Sequence, residues 1–294
     1  MKKAQVFTGV ATALVTPFRR GEIDYGTLKR LIERQIEAGI DALVIGGTTG
    51  EAATLSTKER YSLFEHAKEY ASDRCKLIFG TGTNDTRAAV SHTEFASDLG
   101  CDGVLVVTPY YNRGTKDGLV RHYERIASVS RQPVILYNVP SRTGTNLDLK
   151  LLLRLSKIEN IAAIKEASDS TDRLTALSVF GEELWLYAGN DSQIYTTLSL
   201  GGLGVISVVS NLYPKQTMDI CKQFFASNRE ESLKTQQKLL PVINSLFLET
   251  NPAPVKYAMY RAGLCPSEMR LPMWLPTRST RRKLECAIAS FEER

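Results

Sequence analysis

Apolar positions fall into two patterns along this chain. Short, near-continuous apolar runs occupy residues 10–15, 42–45, 76–79, 103–107, 133–137, 161–164, 184–188 and 203–208. Between them lie longer segments whose apolar residues recur every three or four positions, the mark of a helix with one buried face. In the first of these, Leu28, Leu31, Ile32 and Ile36 share a face, and Gly39 stops a helix that opens near Asp24. Ser56-Thr57-Lys58-Glu59 has the form of a capping box. Asp85 stands where the next helix needs an N-cap, and Gly100 closes it after Leu99. Further helices are predicted up to about 130, then over 147–155, 171–180 and 192–200. The short runs do not alternate apolar with polar residues, so they suit parallel strands covered on both faces. Eight strand–helix units of about 25 to 35 residues, each the size of one βαβ repeat, predict a closed (β/α)8 TIM barrel. The rival is a doubly wound open sheet. Its G-x-G-x-x-G signature is missing, because Gly80-Thr81-Gly82 meets Asp85 where the third glycine should be.

After Asn211 the rhythm changes to helices alone, over 213–228, 230–248, 254–262 and 278–293, punctuated by Pro252, Pro254, Pro266, Pro272 and Pro276. The first completes the barrel. The rest exceed what a barrel needs. Residues 1–228 are therefore assigned to the barrel, and 229–294 to a small C-terminal helical layer used for packing or oligomerisation.

Composition narrows the class without deciding it. With 294 residues, 43% hydrophobic and 23% charged, the chain is an ordinary soluble globular one. Its net charge of +5 is spread out. The one dense basic cluster, Arg278, Arg281, Arg282 and Lys283, reads as a solvated helix face rather than a nucleic-acid patch. Five scattered cysteines without C-x-x-C spacing argue against a disulfide framework or zinc site and for a reducing compartment. Residues 6–18 loosely mimic a signal peptide, but Ala11-Thr12-Ala13 comes too early for cleavage and the apolar run continues past it. The segment is read as the first strand of a cytoplasmic protein. No apolar stretch approaches the roughly 20 residues that span a membrane.

The chemistry is concentrated just after the strands, where a barrel builds its active face. The sixth run, Ile161-Ala162-Ala163-Ile164, ends on Lys165. An ammonium ion is costly to bury. A dry strand end favours the neutral amine, which can attack a ketone and form a Schiff base. For an isolated lysine the bland reading, a side chain reaching solvent, is the default. The other strand ends argue against it. The second brings Thr48 and Thr49 in a glycine-rich turn whose N–H groups can approach an anion. The fourth brings Tyr110 and Tyr111, and the fifth Tyr137 and then Arg142. Glycine turns are usually only turns, and most tyrosines only pack. Together, however, an amine, phenols, hydroxyls and a guanidinium on one rim suit a Schiff-base enzyme acting on carboxylates. His66, His92 and His122 fall inside helix patterns and are read as surface or satisfied residues. Glu51, Glu166 and Lys256 are read as structural. No metal spacing, P-loop or G-x-S-x-G elbow is present.

Gly47-Thr48-Thr49-Gly50-Glu51, Thr108-Pro109-Tyr110-Tyr111-Asn112, Tyr137 through Gly144, and Ile164-Lys165-Glu166-Ala167 resemble the dihydrodipicolinate synthase (4-hydroxy-tetrahydrodipicolinate synthase) family. The resemblance extends from Phe7-Thr8-Gly9 to Asn251-Pro252, and the four motifs in this order are highly specific to the pyruvate-dependent aldolase superfamily. It implies condensation of pyruvate with aspartate semialdehyde on the way to diaminopimelate and lysine, with no metal or organic cofactor. Lys165 would form the imine. Tyr137, Thr48 and Tyr111 would relay protons, Tyr111 entering from a neighbouring subunit. Thr49 would hold the pyruvate carboxylate and Arg142 that of the semialdehyde. Gly189 and the carbonyl of Ile206 would line the pocket. The family also implies a homotetramer, a dimer of tight dimers.

The alternative on the same scaffold is a pyruvate-dependent retro-aldolase of the N-acetylneuraminate lyase or keto-deoxy sugar-acid type. Those relatives usually lack the arginine of Ser141-Arg142-Thr143-Gly144. A silent barrel that senses a keto acid is a third reading, disfavoured because the amine and all three relay groups are kept. One departure stands out. Feedback-inhibited members hold lysine with an acid one turn after the Gly-Thr-Gly segment and with histidines near the capping box. Here those places carry Ala88, Thr57 and Arg60, while Asn84 and Tyr110 remain. Weak or absent inhibition by lysine is expected.

Overall fold

A computed structural model describes residues 2–293. Eight parallel strands close a barrel: β1 Gly9–Ala13, β2 Ala42–Ile45, β3 Lys76–Gly80, β4 Gly103–Val107, β5 Val134–Asn138, β6 Ile161–Glu166, β7 Trp185–Ala188 and β8 Gly204–Ser207. Each pairs with the next, and β8 returns to β1 with Gly9 opposite Gly204. That seam needs glycine: Gly204 has φ +154°, and a Cβ there would lie 1.8 Å from the Gly9 carbonyl oxygen. Successive side chains point to opposite faces. Along β2, Ala42 and Val44 fill the barrel interior while Leu43 and Ile45 join the layer under the helices. Both faces are dry, which is why the runs read as continuously apolar.

The covering helices are α1 Tyr25–Glu37, α2 Thr57–Ala71, α3 Thr86–Asp98, α4 Lys116–Ala127, α5 Leu149–Leu155, α6 Thr171–Ser178, α7 Ile194–Ser199 and α8 Pro214–Phe225. Their starts follow from capping chemistry. Asp24 and Asp85 accept from backbone N–H groups of their first turns, and Ser56 with Glu59 forms the reciprocal capping box. Three further helices follow: α9 Arg229–Ser245, α10 Ala253–Arg261 and α11 Arg278–Glu292. Residues 246–252, between α9 and α10, pass across the barrel mouth and supply part of its wall.

The opposite end is plugged by the N-terminal segment. Phe7 stacks on Tyr187 with ring centroids 4.3 Å apart, and the Tyr187 hydroxyl donates to the Phe7 carbonyl at 2.6 Å. Lys3 Nζ donates to the carbonyls of Ile158 and Glu159 at 2.7 and 2.9 Å. The N-terminal segment thus covers this end of the barrel, and the main cavity opens at the strand C-terminal end. Among the described residues, no helix is long and apolar enough to cross a membrane.

Several expectations are adjusted. The first strand stops at Ala13, although Leu14 N–H still donates to Val44 O, because Val15 N–H turns to the Asn211 side chain. A two-stranded ribbon, Phe18–Arg19 with Glu22–Ile23, follows it; strands of two residues carry no periodicity to read. Of the two readings for the helical histidines, the surface one fails for His92 and His122, which are buried on helix faces that pack against neighbouring helices and contact Tyr61 and Thr86. His122 Nδ1 meets Thr86 Oγ1 at 2.9 Å, but among the described residues its Nε2 has no partner.

Candidate active site

At the open end lies a cavity of about 730 Å³. Thr48, Thr49, Tyr137, Arg142, Lys165 and Gly189 all contribute to its wall. The parallel register explains why two of them meet. Tyr137 on β5 stands opposite Lys165 on β6, and Lys165 Nζ lies 4.3 Å from the centroid of the Tyr137 ring. Lys165 is 5% exposed, and among the described residues its amine has no hydrogen-bond partner. It faces the cavity. The next residue faces the other way: Glu166 is fully buried and accepts from Asn138 Nδ2, Ser168 N–H and Arg173 Nε at 3.0, 3.0 and 3.2 Å. The strand pleat separates a reactive lysine from a structural glutamate.

The turn after β2 is held from several sides. Glu51 N–H donates to Thr48 O at 3.1 Å, and Thr16 Oγ1 donates to Gly50 O at 2.7 Å. Thr49 is buried, and its hydroxyl accepts from Asn251 Nδ2 at 2.9 Å. Arg142 sits on a single helical turn, Pro140–Thr143, that ends at Gly144 with φ +64°. Its Nη2 donates to the Asn251 carbonyl at 2.9 Å. Asn251 therefore ties the hydroxyl turn to the guanidinium, although it lies over a hundred residues beyond both. Sequence reasoning gave it no role; its only signal was the Asn-Pro pair in the crossing segment.

Asp191 is a second residue without an assigned role. It is fully buried in the loop after β7, and its Oδ2 accepts from Val208 and Val209 N–H at 3.0 and 2.8 Å. Among the described residues its Oδ1 has no partner, and the residue lines the cavity within electrostatic reach of Lys165. Burial pushes its carboxyl above the usual range, while hydrogen bonds from Ser207 and the two backbone groups and the Lys165 charge oppose the rise. An acid just past a strand end was its only sequence signal.

Gly189 is on the cavity wall; the Ile206 side chain is fully buried in the barrel interior, and its carbonyl, the group expected at the pocket, is carried by β8. Tyr111 is 93% exposed, with φ +68°, and stands outside its own chain's cavity. Its neighbour Tyr110 lines a smaller annex of about 290 Å³ that shares Thr48, Tyr137, Arg142 and Asn251 with the main cavity. The annex is otherwise mostly apolar, with Leu105, Val107, Pro252 and Met273 among its walls. None of the three histidines lines either space. Among the described residues, no group of three or more His, Cys, Asp or Glu side chains is placed to hold a metal ion.

The arrangement can do amine chemistry on a small keto acid. An unpartnered amine stands beside a phenol, and hydroxyls and a guanidinium stand on the same wall. Residues 6–290 match the dihydrodipicolinate synthetase family. A 4-hydroxy-tetrahydrodipicolinate synthase of Clostridium novyi is 44% identical over 269 residues, 91% of each chain. One of Endomicrobium trichonymphae is 41% identical over 287 residues, covering 97% of this chain and 99% of the relative. The solved structure of the 4-hydroxy-tetrahydrodipicolinate synthase from Methylacidiphilum fumariolicum SolV superposes with a TM-score of 0.95 at 38% identity, covering 97% of this chain and 96% of that one. Sequence and backbone agree from end to end, and the chain belongs to the dihydrodipicolinate synthetase family.

Proposed function

We propose that this chain is a lyase that condenses pyruvate with L-aspartate 4-semialdehyde to 4-hydroxy-tetrahydrodipicolinate, a step in diaminopimelate and lysine biosynthesis. The observation that carries the reading is Lys165: buried, without a hydrogen-bond partner, and open to the cavity beside Tyr137. Its amine attacks the pyruvate carbonyl carbon, and loss of water leaves the imine. Removal of a methyl proton gives the enamine, whose carbon attacks the aldehyde. The amino group of the new chain then displaces Lys165 from the imine carbon, closing the ring and freeing the amine. Tyr137 and Thr48 carry protons in these steps. Thr49 and the N–H groups of its turn hold the pyruvate carboxylate, with Gly189 closing the wall. Arg142 holds the semialdehyde carboxylate.

The third relay group, Tyr111, comes from a second copy. Its exposure and the apolar annex beside Thr48 and Tyr137 support that assembly, with a dimer of tight dimers as the full form. Mixing subunits bearing Tyr111→Phe with subunits bearing Lys165→Ala tests it. Cross-supply regenerates one complete site per mixed dimer, so part of the activity returns; a mixture as inactive as its parts rejects it. Lysine inhibition is weak or absent: Ala88 offers no carboxylate, and Arg60 is turned inward onto the Gly80 and Ala52 carbonyls at 2.8 and 2.9 Å. Strong inhibition at submillimolar lysine would overturn this. The five free cysteines suit work in the reducing cytoplasm. The main test is to supply both substrates and detect the cyclic product. Formation of the pyruvate adduct without product would favour a sugar-acid lyase.

A further inference from the structure

The turn that carries Thr48 and Thr49 ends on an unusual residue. Glu51 has φ +56°, in the left-handed region that side chains rarely adopt. It is buried, and its Oε1 meets Lys256 Nζ at 2.6 Å; the side chains are 2% and 0% exposed. Lys256 also donates to the Thr16 carbonyl at 2.9 Å, and Thr16 Oγ1 in turn holds Gly50. The second oxygen of Glu51 accepts from Arg270 N–H at 3.0 Å. Desolvation holds the Lys256 ammonium below its ordinary pKa, with the Glu51 charge opposing that fall.

A buried ion pair contributes little net stability compared with apolar side chains of the same shape. Propping up the fold therefore does not account for this one. Its location does. Glu51 is three residues from Thr48 and bonded to it through the backbone, and Lys256 is carried by α10, which directly follows the crossing segment whose Asn251 holds Thr49. We propose that Glu51 and Lys256 are positioning residues that fix the hydroxyls of Thr48 and Thr49 against Lys165. The C-terminal helical layer then acts as the support of the proton relay and carboxylate site, not only as packing. This rests on the Schiff-base reading above.

The test is a double-mutant cycle. Glu51→Gln keeps the side-chain volume and one acceptor for Lys256 but cannot accept from Arg270 N–H with its amide nitrogen. It is expected to lower kcat and raise KM for pyruvate, with kcat/KM falling about 10- to 100-fold, the cost of a misplacement on the ångström scale. If Glu51 acts through the two hydroxyls, adding Glu51→Gln to an enzyme carrying Thr48→Val and Thr49→Val lowers kcat by less than twofold more. Two full, multiplying losses would overturn the proposal. The double substitution Glu51→Leu with Lys256→Met replaces the pair by apolar volume and guards against a folding failure in the single variant. It is expected to fold and to melt a few degrees below wild type, because the Thr16 carbonyl and the Arg270 N–H lose their partners, and still to lose kcat. Wild-type kcat in that folded variant would also overturn the proposal. Borohydride trapping of pyruvate on the wild-type enzyme separates the two layers: no adduct there would reject the Schiff-base reading itself, whereas an adduct with additive mutants rejects only the positioning role.

Discussion

At the covered end of the barrel, Lys3 donates to two carbonyls at 2.7 and 2.9 Å; at the open end, Lys165 is buried to the same degree and has only the face of the Tyr137 ring, 4.3 Å away. Both side-chain nitrogens are withdrawn from water, and burial lowers the Lys3 pKa. The floor supplies its lysine with fixed acceptors, so that amine is committed to the fold. The mouth supplies a cavity and no acceptor, so that amine is available to a substrate. A third buried lysine, Lys256, is committed to Glu51 and Thr16. Burial alone therefore does not mark a reactive lysine. Burial without a partner, facing a cavity lined by hydroxyls and a guanidinium, does.

The sharpest break in the comparison comes from exchanging the two roles. Lys165→Ala is expected to lower turnover by at least about 10³-fold, with the melting temperature little changed, because the amine makes no bond that the fold needs. Next in size is Arg142→Ala. It is expected to reduce kcat/KM for the semialdehyde by about 10²- to 10³-fold while pyruvate still forms its adduct, which steady-state kinetics and trapping check together. Lys3→Met leaves the Ile158 and Glu159 carbonyls without their donor. The melting temperature should fall by roughly 2–6 °C with kcat unchanged, reversing the pattern seen at Lys165.

An effect confined to low pH is the acid sensitivity of the helical shell. Burial holds His92 and His122 down to about 4 from an ordinary 6.5, with the Arg60 charge adding to the drop at His92. Between pH 6.5 and about 4 the unfolded chain takes up protons that the folded chain refuses, so stability falls as pH drops through that window. A second loss begins at the lower edge of this window. The Arg270 guanidinium holds Glu59 at about 2 from 4.5, and that stability disappears as pH falls from 4.5 toward about 2. Urea unfolding from pH 7 to 4 should show the first slope, and His122→Gln should flatten it.

Most of the barrel could be read from the chain because each strand is dry on both faces and each helix on one. Those demands write themselves into consecutive residues: Leu43 and Val44 face opposite layers and are both apolar. The strand-end residues were legible for the same reason, since a parallel barrel delivers every strand end to one rim. What stayed hidden depends on distant pairings. Asn251 reaches Thr49 and Arg142, Lys256 reaches Glu51, and Arg270 reaches Glu59, each across more than a hundred residues of sequence. A polar residue in a loop or a helix looks the same in sequence whether it meets water or a buried partner. His122 shows this limit: its helical spacing was plain, but its burial between helices was not.

Pyruvate and borohydride, followed by peptide mass mapping, test the central claim most directly. A reduced three-carbon adduct on Lys165, absent from Lys3 and Lys256, is the expected result. An adduct spread over surface lysines, or none at Lys165 while turnover continues, would contradict it.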